Sequence, residues 1–237
     1  MEKGTLYLLP CPIADDTDPR EVLPAANWPV MAGLDYFIVE NTRTARRFLA
    51  KAGIGRPIDT LEFRELNEHT EAGRAVEALI EPLLAGRSAG VLSEAGVPGV
   101  ADPGAWVVEA CHRHGIRVVP LVGPSSILLA VMASGLNGQS FAFNGYLPVK
   151  PPERAKAIRF FERRARTEGQ TQLFIEAPYR NARLLDQLVQ TLAPETRLGL
   201  AMNLTAPDPL IEVHAVAEWR RRQLPDTQKC PAIFLIG

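Results

Sequence analysis

Short runs of β-branched and aromatic residues alternate along this chain with stretches of helical periodicity, and no other feature constrains the fold as strongly. The apolar runs lie at residues 5–9, 36–39, 90–93, 117–122, 141–147, 172–175, 197–201, 211–216 and 232–236. Between them Ala45, Phe48, Leu49 and Ala52 recur at helical spacing. So do Val76, Leu79, Ile80, Leu83 and Leu84, and further on Leu184, Leu185, Leu188, Val189 and Leu192. A succession of strand, helix and strand builds a parallel sheet covered by helices on both faces, so the chain reads as α/β. The pattern changes near residue 136. Residues 135–139 form a turn-rich bridge after a helix over 127–133, and residues 196–216 read as two strands joined hairpin-fashion by 205–209. A hairpin makes the second sheet mixed. The expected organisation is two α/β domains, 1–122 with a parallel sheet and 123–237 with a mixed one, with a ligand cleft between them. The boundary falls within residues 120–138.

Composition narrows the classes. With 46% hydrophobic residues over 237 positions the chain can bury a sizeable core, which excludes a disordered or low-complexity protein. A formal net charge of −1 argues against a protein that coats nucleic acid along its whole surface, and leaves room for a local basic patch. Cys11, Cys111 and Cys230 are too far apart in sequence for a disulfide framework and fit a reducing cytosol. The apolar run at the N-terminus meets Pro10 too early for a signal peptide, and the stretch 121–136 is too short and too broken to span a bilayer. A cytoplasmic protein without a membrane partner is expected.

Some local signals are specific. Asp102 followed by Pro103 reads as an N-cap and first helical position, with Trp106, Val107, Ala110 and Cys111 as one apolar stripe and Gly115 as the stop. Cys111, His112 and His114 lack the spacing of zinc signatures, so they read as a helix end with Cys111 in the core and solvated histidines. No metal site is expected. Neither G-x-G-x-x-G after the first strand, nor the P-loop pattern, nor G-x-S-x-G occurs, which disfavours dinucleotide-binding, NTPase and serine-hydrolase chemistry.

The chemistry concentrates instead in loops at strand ends. Residues 93–104, SEAGVPGVADPG, follow a buried strand and precede a helix, at the carboxyl edge where open α/β sheets bind ligands. Their glycines let backbone groups approach a ligand and their prolines hold the loop in shape. Gly123-Pro124-Ser125-Ser126 is a second strand-to-helix turn, with either serine suited to cap the helix. Glu40-Asn41-Thr42-Arg43 is a third, with Thr42 as its natural cap, and Glu176-Ala177-Pro178-Tyr179-Arg180 is a fourth.

Read together with residues 6–13, 67–69, 134–136 and 145–148, these loops resemble, in collinear order, the tetrapyrrole (corrin/porphyrin) methylase superfamily of S-adenosylmethionine-dependent methyltransferases. The nearest branch is similar to the small-subunit ribosomal RNA cytidine 2′-O-ribose methyltransferases. The resemblance implies two α/β domains with the methyl donor S-adenosylmethionine in the cleft between them, in a homodimer. It implies that Gly96, Val97 and Pro98 line the methionine side of the donor and that Ser125 and Ser126 hold its polar atoms. It implies that Ala177, Met202, Asn203 and Ala232 surround the adenosine, and Pro10, Glu94 and Glu176 are further expected cofactor-binding residues. Departures from the branch are Asn41 in place of an acid, Met202-Asn203 in place of an Arg-Glu pair, residues 206–209 in place of a charged stretch, and a chain that stops before the branch's C-terminal segment.

Methyl transfer needs alignment and exclusion of water more than a protein nucleophile. A hydroxyl acceptor benefits from a general base within about 3 Å of its proton. Glu40, Glu94 and Glu176 are the candidates, with Glu40 preferred as the catalytic residue. Arg43 and Arg180 are candidates for holding the acceptor. For rRNA as partner the independent support is residues 150–166, which carry seven basic and two acidic side chains, a local charge of +5. Ile158, Phe161 and Ala165 give that helix its apolar face and leave Arg159, Arg163 and Arg166 outward, with Arg220-Arg221-Arg222 as an extension. The alternatives are a tetrapyrrole or other small-molecule acceptor, and a binding protein without turnover.

Overall fold

The structure is a computed structural model that describes residues 2–66 and 73–237. It divides into two compact units, Met1–Ser125 and Ser126–Gly237. The segment 67–69, part of the resemblance above, lies outside the described residues.

Unit 1 is built on five parallel strands, β1 (Thr5–Leu9), β2 (Tyr36–Val39), β3 (Glu62–Glu65), β4 (Ala89–Leu92) and β5 (Arg117–Pro120), in the order β3-β2-β4-β1-β5. Helices α1 (Pro19–Val22), α2 (Asn27–Gly33), α3 (Thr42–Ala52), α4 (Arg74–Leu84) and α5 (Gly104–Arg113) connect them. The two-residue period of the strands sorts side chains onto opposite faces. Tyr36 and Ile38 of β2 pack with Leu6, Val91 and the apolar faces of α4 and α5. Phe37 and Val39 pack with Leu9, Leu92 and the faces of α2 and α3. Burial on both faces explains why β2 and β4 read as unbroken apolar runs.

Unit 2 holds β6 (Phe141–Tyr146), β7 (Thr171–Ile175), β8 (Arg197–Met202), β9 (Leu210–Ala215) and β10 (Ala232–Ile236) in the order β6-β7-β10-β8-β9. Only β6 and β7 pair in parallel; the rest is antiparallel, so the sheet is mixed as expected. The hairpin expected over 196–216 is the β8–β9 pair, with Met202 opposite Leu210. Around the sheet lie α6 (Ser126–Ser134), α7 (Pro151–Glu168), α8 (Asn181–Thr191) and α9 (Val216–Trp219). Phe174, Phe234, Leu200 and Trp219 centre the core on the α7–α8 side.

Several expectations are corrected. β3 was not anticipated, because Glu-Phe-Arg-Glu is a charged edge strand with a single aromatic, Phe63, stacked 5.6 Å from Phe37. β5 ends at Pro120 and leaves Val122 exposed. Asn41, not Thr42, caps α3: its side chain accepts from the Arg43 and Thr44 N–H groups. Helix α5 begins one residue late, with Pro103 at the cap position, and Asp102 instead braces the loop before it. Trp106 sits at the edge of the stripe and is 36% exposed, whereas Val107, Ala110 and Cys111 are fully buried. His114 is not simply solvated, since its Nε2 lies 2.8 Å from Glu77.

Candidate functional site

Because the strands of unit 1 are parallel, the loops after β1, β2, β4 and β5 emerge along one edge. Two contacts bring them together, one between main chains and one between Gly123 and the Pro10 ring. The Cys11 N–H donates to the Gly96 carbonyl at 2.7 Å, stitching the loop after β1 to the glycine-rich loop after β4. Gly123 lies against Pro10 so closely that a Cβ there would stand 2.2 Å from the proline Cβ, so a side chain at 123 would push the loop after β5 away. Gly96 adopts φ +71, which suits glycine, and a Cβ would enter a space bounded by the Pro124 carbonyl at 3.5 Å. Ala101, in the same loop, holds φ +55, an uncommon conformation for a residue with a Cβ. Gly96 and Pro98 are buried, Val97 half-buried, and Glu94 exposed.

Ionisable groups meet at this edge. Glu40, the first residue after β2, accepts the Glu94 N–H at 2.7 Å. Glu94 in turn accepts the Thr44 hydroxyl at 2.6 Å. Asp102 uses Oδ1 to accept two backbone N–H groups, Gly99 at 2.8 Å and Gly104 at 2.7 Å, which ties the end of the glycine loop to the start of α5. Burial raises the Glu40 carboxyl from 4.5 to about 7; the negative charges of Asp102 and Glu94 add to this, and the Glu94 N–H works against it. Burial, with the same three carboxylates, also pushes the Cys11 thiol up, which favours its neutral form. Beside the carboxylates opens a cavity of about 420 Å³ lined by Cys11, Thr44, Arg47, Phe48, Lys51 and Glu94. Lys51 closes one wall by donating to the Asp15 and Thr17 carbonyls at 3.2 and 2.9 Å. Arg43 is exposed on the first turn of α3. Asp102, Thr44 and Lys51 were not anticipated as members of this cluster. For Asp102 the signal was present, a short acid inside a glycine loop, but it was read only as a helix cap.

Unit 2 gathers a second set of strand ends. The register places Ala232 opposite Met202 and Ile233 opposite Ile175, so Glu176, Ala177, Met202, Asn203 and Ala232 fall at one sheet edge. Asn203 holds φ +51 and donates its N–H to the Pro231 carbonyl. Glu176 is buried. Its Oε1 accepts the Ala177 N–H at 2.8 Å and Arg180 at 2.9 and 2.6 Å, while its Oε2 has no partner among the described residues. Arg180 is therefore held within its own turn, with Nη1 on the Tyr179 hydroxyl. The Asn181 Oδ1 and Thr227 Oγ1 are likewise buried without a partner among the described residues. Buried polar atoms of this kind fit a polar ligand at these strand ends.

On α7 the exposed basic residues are Lys156, Arg159, Arg163 and Arg166. Arg154 turns inward instead and donates to the Pro148 and Val149 carbonyls. Arg164 pairs with Glu168 at 3.0 Å. The expected extension is smaller than three arginines. Arg220 donates to the Val189 and Leu192 carbonyls, and Arg222 faces His214 and Glu212. Among the described residues, no group of three His, Cys, Asp or Glu side chains is arranged to hold a metal, and no helix is long and apolar enough to cross a membrane.

A parallel sheet with a glycine loop at its carboxyl edge, followed by a mixed sheet in the order found here, is a two-sheet α/β architecture shared with methyltransferases of known structure. The whole chain superposes on the methyltransferase CobJ with a TM-score of 0.62 at 18% identity, covering 99% of this chain and 94% of that one. It also superposes on a uroporphyrin-III C-methyl transferase from Thermus thermophilus, solved with S-adenyl homocysteine, with a TM-score of 0.55 at 19% identity, covering 99% and 97%. These likenesses establish the fold. Residues 25–218 match the family Tetrapyrrole (Corrin/Porphyrin) Methylases, and the chain belongs to that family. It is 34% identical over 213 residues to ribosomal RNA small subunit methyltransferase I of Vibrio cholerae, covering 90% of this chain and 69% of the relative. To the protein of that name from Mesorhizobium japonicum it is 36% identical over 200 residues, covering 84% of this chain and 63% of the relative.

Proposed function

We propose that this chain is an S-adenosylmethionine-dependent methyltransferase that methylates a ribose 2′-hydroxyl of ribosomal RNA. Membership of a methylase family supports the reaction, and the similarity to proteins named for ribosomal RNA methylation supports the acceptor. The observation that carries the reading is the juxtaposition of Glu40, poised near neutrality, with the Gly96 loop at one sheet edge.

The donor supplies a methyl group on a sulfonium, ready for in-line displacement. In unit 1, Pro10, Glu94, Gly96, Val97, Pro98 and Ser125 are the proposed contacts to the donor, with Gly96, Val97 and Pro98 along its methionine part, where the small Gly96 leaves room for main-chain groups to serve. In unit 2, Ser126, Glu176, Ala177, Met202, Asn203 and Ala232 are the proposed contacts to its polar and adenosine parts, and the buried Glu176 Oε2 is an acceptor suited to a hydroxyl or amino group. Glu40, in its ionised form, accepts the proton of the acceptor hydroxyl. Arg47 lines the cavity and Arg43 is exposed on the first turn of α3, both proposed to meet a phosphate, and the 420 Å³ cavity is of a size that takes a single nucleoside. The exposed arginines of α7 bind flanking RNA phosphates. Homodimerisation and a cytoplasmic site of action complete the proposal, on the family's pattern.

The test is transfer of labelled methyl groups to fractionated RNA from a strain lacking this protein, with mass spectrometry of ribose methylation. Label on a single 2′-O-methylated nucleoside of small-subunit RNA supports the reading. Transfer only to a small-molecule fraction shifts it to a metabolite acceptor, which the same cavity accommodates.

A further inference from the structure

The Asp102 side chain is held by one oxygen only. Its Oδ1 takes the Gly99 and Gly104 N–H groups, while Oδ2 is buried without a hydrogen-bond donor among the described residues. Asp102 and Glu40 line one narrow crevice with Leu66, Val91 and Leu92, so the unpartnered Asp102 Oδ2 shares that crevice with the Glu40 carboxyl. Two carboxylates offer only acceptors, so a contact between them forms a hydrogen bond only when one of them carries a proton. The surroundings reinforce this. Facing Glu40 are Glu94 on the loop after β4, Asp102 on the loop before α5 and the Cys11 thiol on the loop after β1. Glu65, at the end of β3, is occupied with the Thr42 N–H.

We propose that Glu40 and Asp102 form a carboxyl pair built to hold one shared proton, and that Asp102 is a positioning residue that sets when Glu40 is free to take the acceptor's proton. The first half is a property of the chain alone; the second rests on the function proposed above. Below neutrality the pair is singly protonated and carries one negative charge. Above it the pair is fully ionised, and Glu40 takes up the proton as the hydroxyl O–H bond breaks. The two Asp102 backbone bonds keep its carboxyl fixed, so Glu40 cannot relieve the repulsion by turning the neighbour away.

The experiment is a carbon-13 NMR titration of side-chain carboxyls from about pH 4 to pH 9 in the wild type, D102N and E40Q. E40Q assigns the Glu40 signal by removing it. In D102N the amide oxygen still accepts the two backbone N–H groups and the amide nitrogen donates to Glu40, so the Glu40 midpoint should fall by at least about one pH unit. The acidic limb of the methyl-transfer rate profile should move down with it, whereas a merely structural Asp102 would lower the plateau without moving the limb. An unchanged Glu40 midpoint in D102N overturns the proposal, as does a wild-type Glu40 that titrates at the ordinary carboxylate value. If D102N does not fold, E40Q decides through Asp102: the Asp102 carboxyl signal should show a step near neutrality in the wild type and lose it in E40Q, and a wild-type Asp102 signal without that step overturns the proposal. Absence of transfer to RNA with the shifted midpoint intact refutes the acceptor and leaves the proton-sharing pair standing.

Discussion

Replacing Glu40 by glutamine should stabilise the protein, and only at neutral to alkaline pH. The folded environment raises the Glu40 carboxyl from 4.5 to about 7. An acid shifted upward is favoured in its neutral form, so its contribution to stability is fully present below the unfolded value and is lost as the pH rises through the folded one. The interval corresponds to about 3.4 kcal/mol at 1.36 kcal/mol per pKa unit. Glu40 is only half-buried, and solvent screening reduces this to about 1.5 kcal/mol. Glutamine cannot ionise, and its carbonyl still accepts the Glu94 N–H that Glu40 accepts at 2.7 Å. Relative to the wild type, E40Q should therefore gain about 1.5 kcal/mol between pH 5 and pH 8, roughly 6 °C in melting temperature for a unit of this size. Calorimetric melts of both proteins at the two pH values measure it. Parallel behaviour of wild type and variant across that range would refute the argument, because it would mean that Glu40 ionises as easily in the fold as in the unfolded chain.

Gly123→Ala should destabilise by about 1–3 kcal/mol, since its Cβ would stand 2.2 Å from that of Pro10, and chemical denaturation reads the loss directly. Asn41→Ala removes a side chain that accepts the Arg43 and Thr44 N–H groups, and should cost about 1 kcal/mol by the same measurement. Changing Arg159, Arg163 and Arg166 together to alanine should leave the melting temperature unchanged, because all three are exposed. RNA affinity should fall with it, and the dependence of log affinity on log salt should flatten by about 2 to 3 in a filter-binding titration.

The accuracy of the sequence reading follows burial. β2 and β10 could be bounded to the residue because fully buried strands are apolar throughout, and a buried apolar face likewise revealed α3, α4 and α8. β3 escaped because an edge strand with solvent on one side has no reason to be apolar, and α1 and α9, of four residues each, are shorter than one helical period can announce. At the site, the glycine loop and Glu40 were legible as residue types in a turn. The arginines misled in part. Arg154, Arg180 and Arg220 look in sequence like a positive surface, yet each is used to satisfy carbonyl or carboxylate oxygens of its own unit.

Local pattern was thus sufficient for the α/β class, the change from a parallel to a mixed sheet, and the loops in which chemistry resides, because hydrophobic period and turn chemistry act over a few neighbouring residues. The placing of Glu40 beside Asp102 was not, since the two are separated in sequence by two helices and two strands, and come into one crevice only when β2 and β4 lie side by side. Whether a carboxyl group is a base, a brace or a surface charge depends on the dielectric and the dipoles around it, and the folded chain alone supplies those.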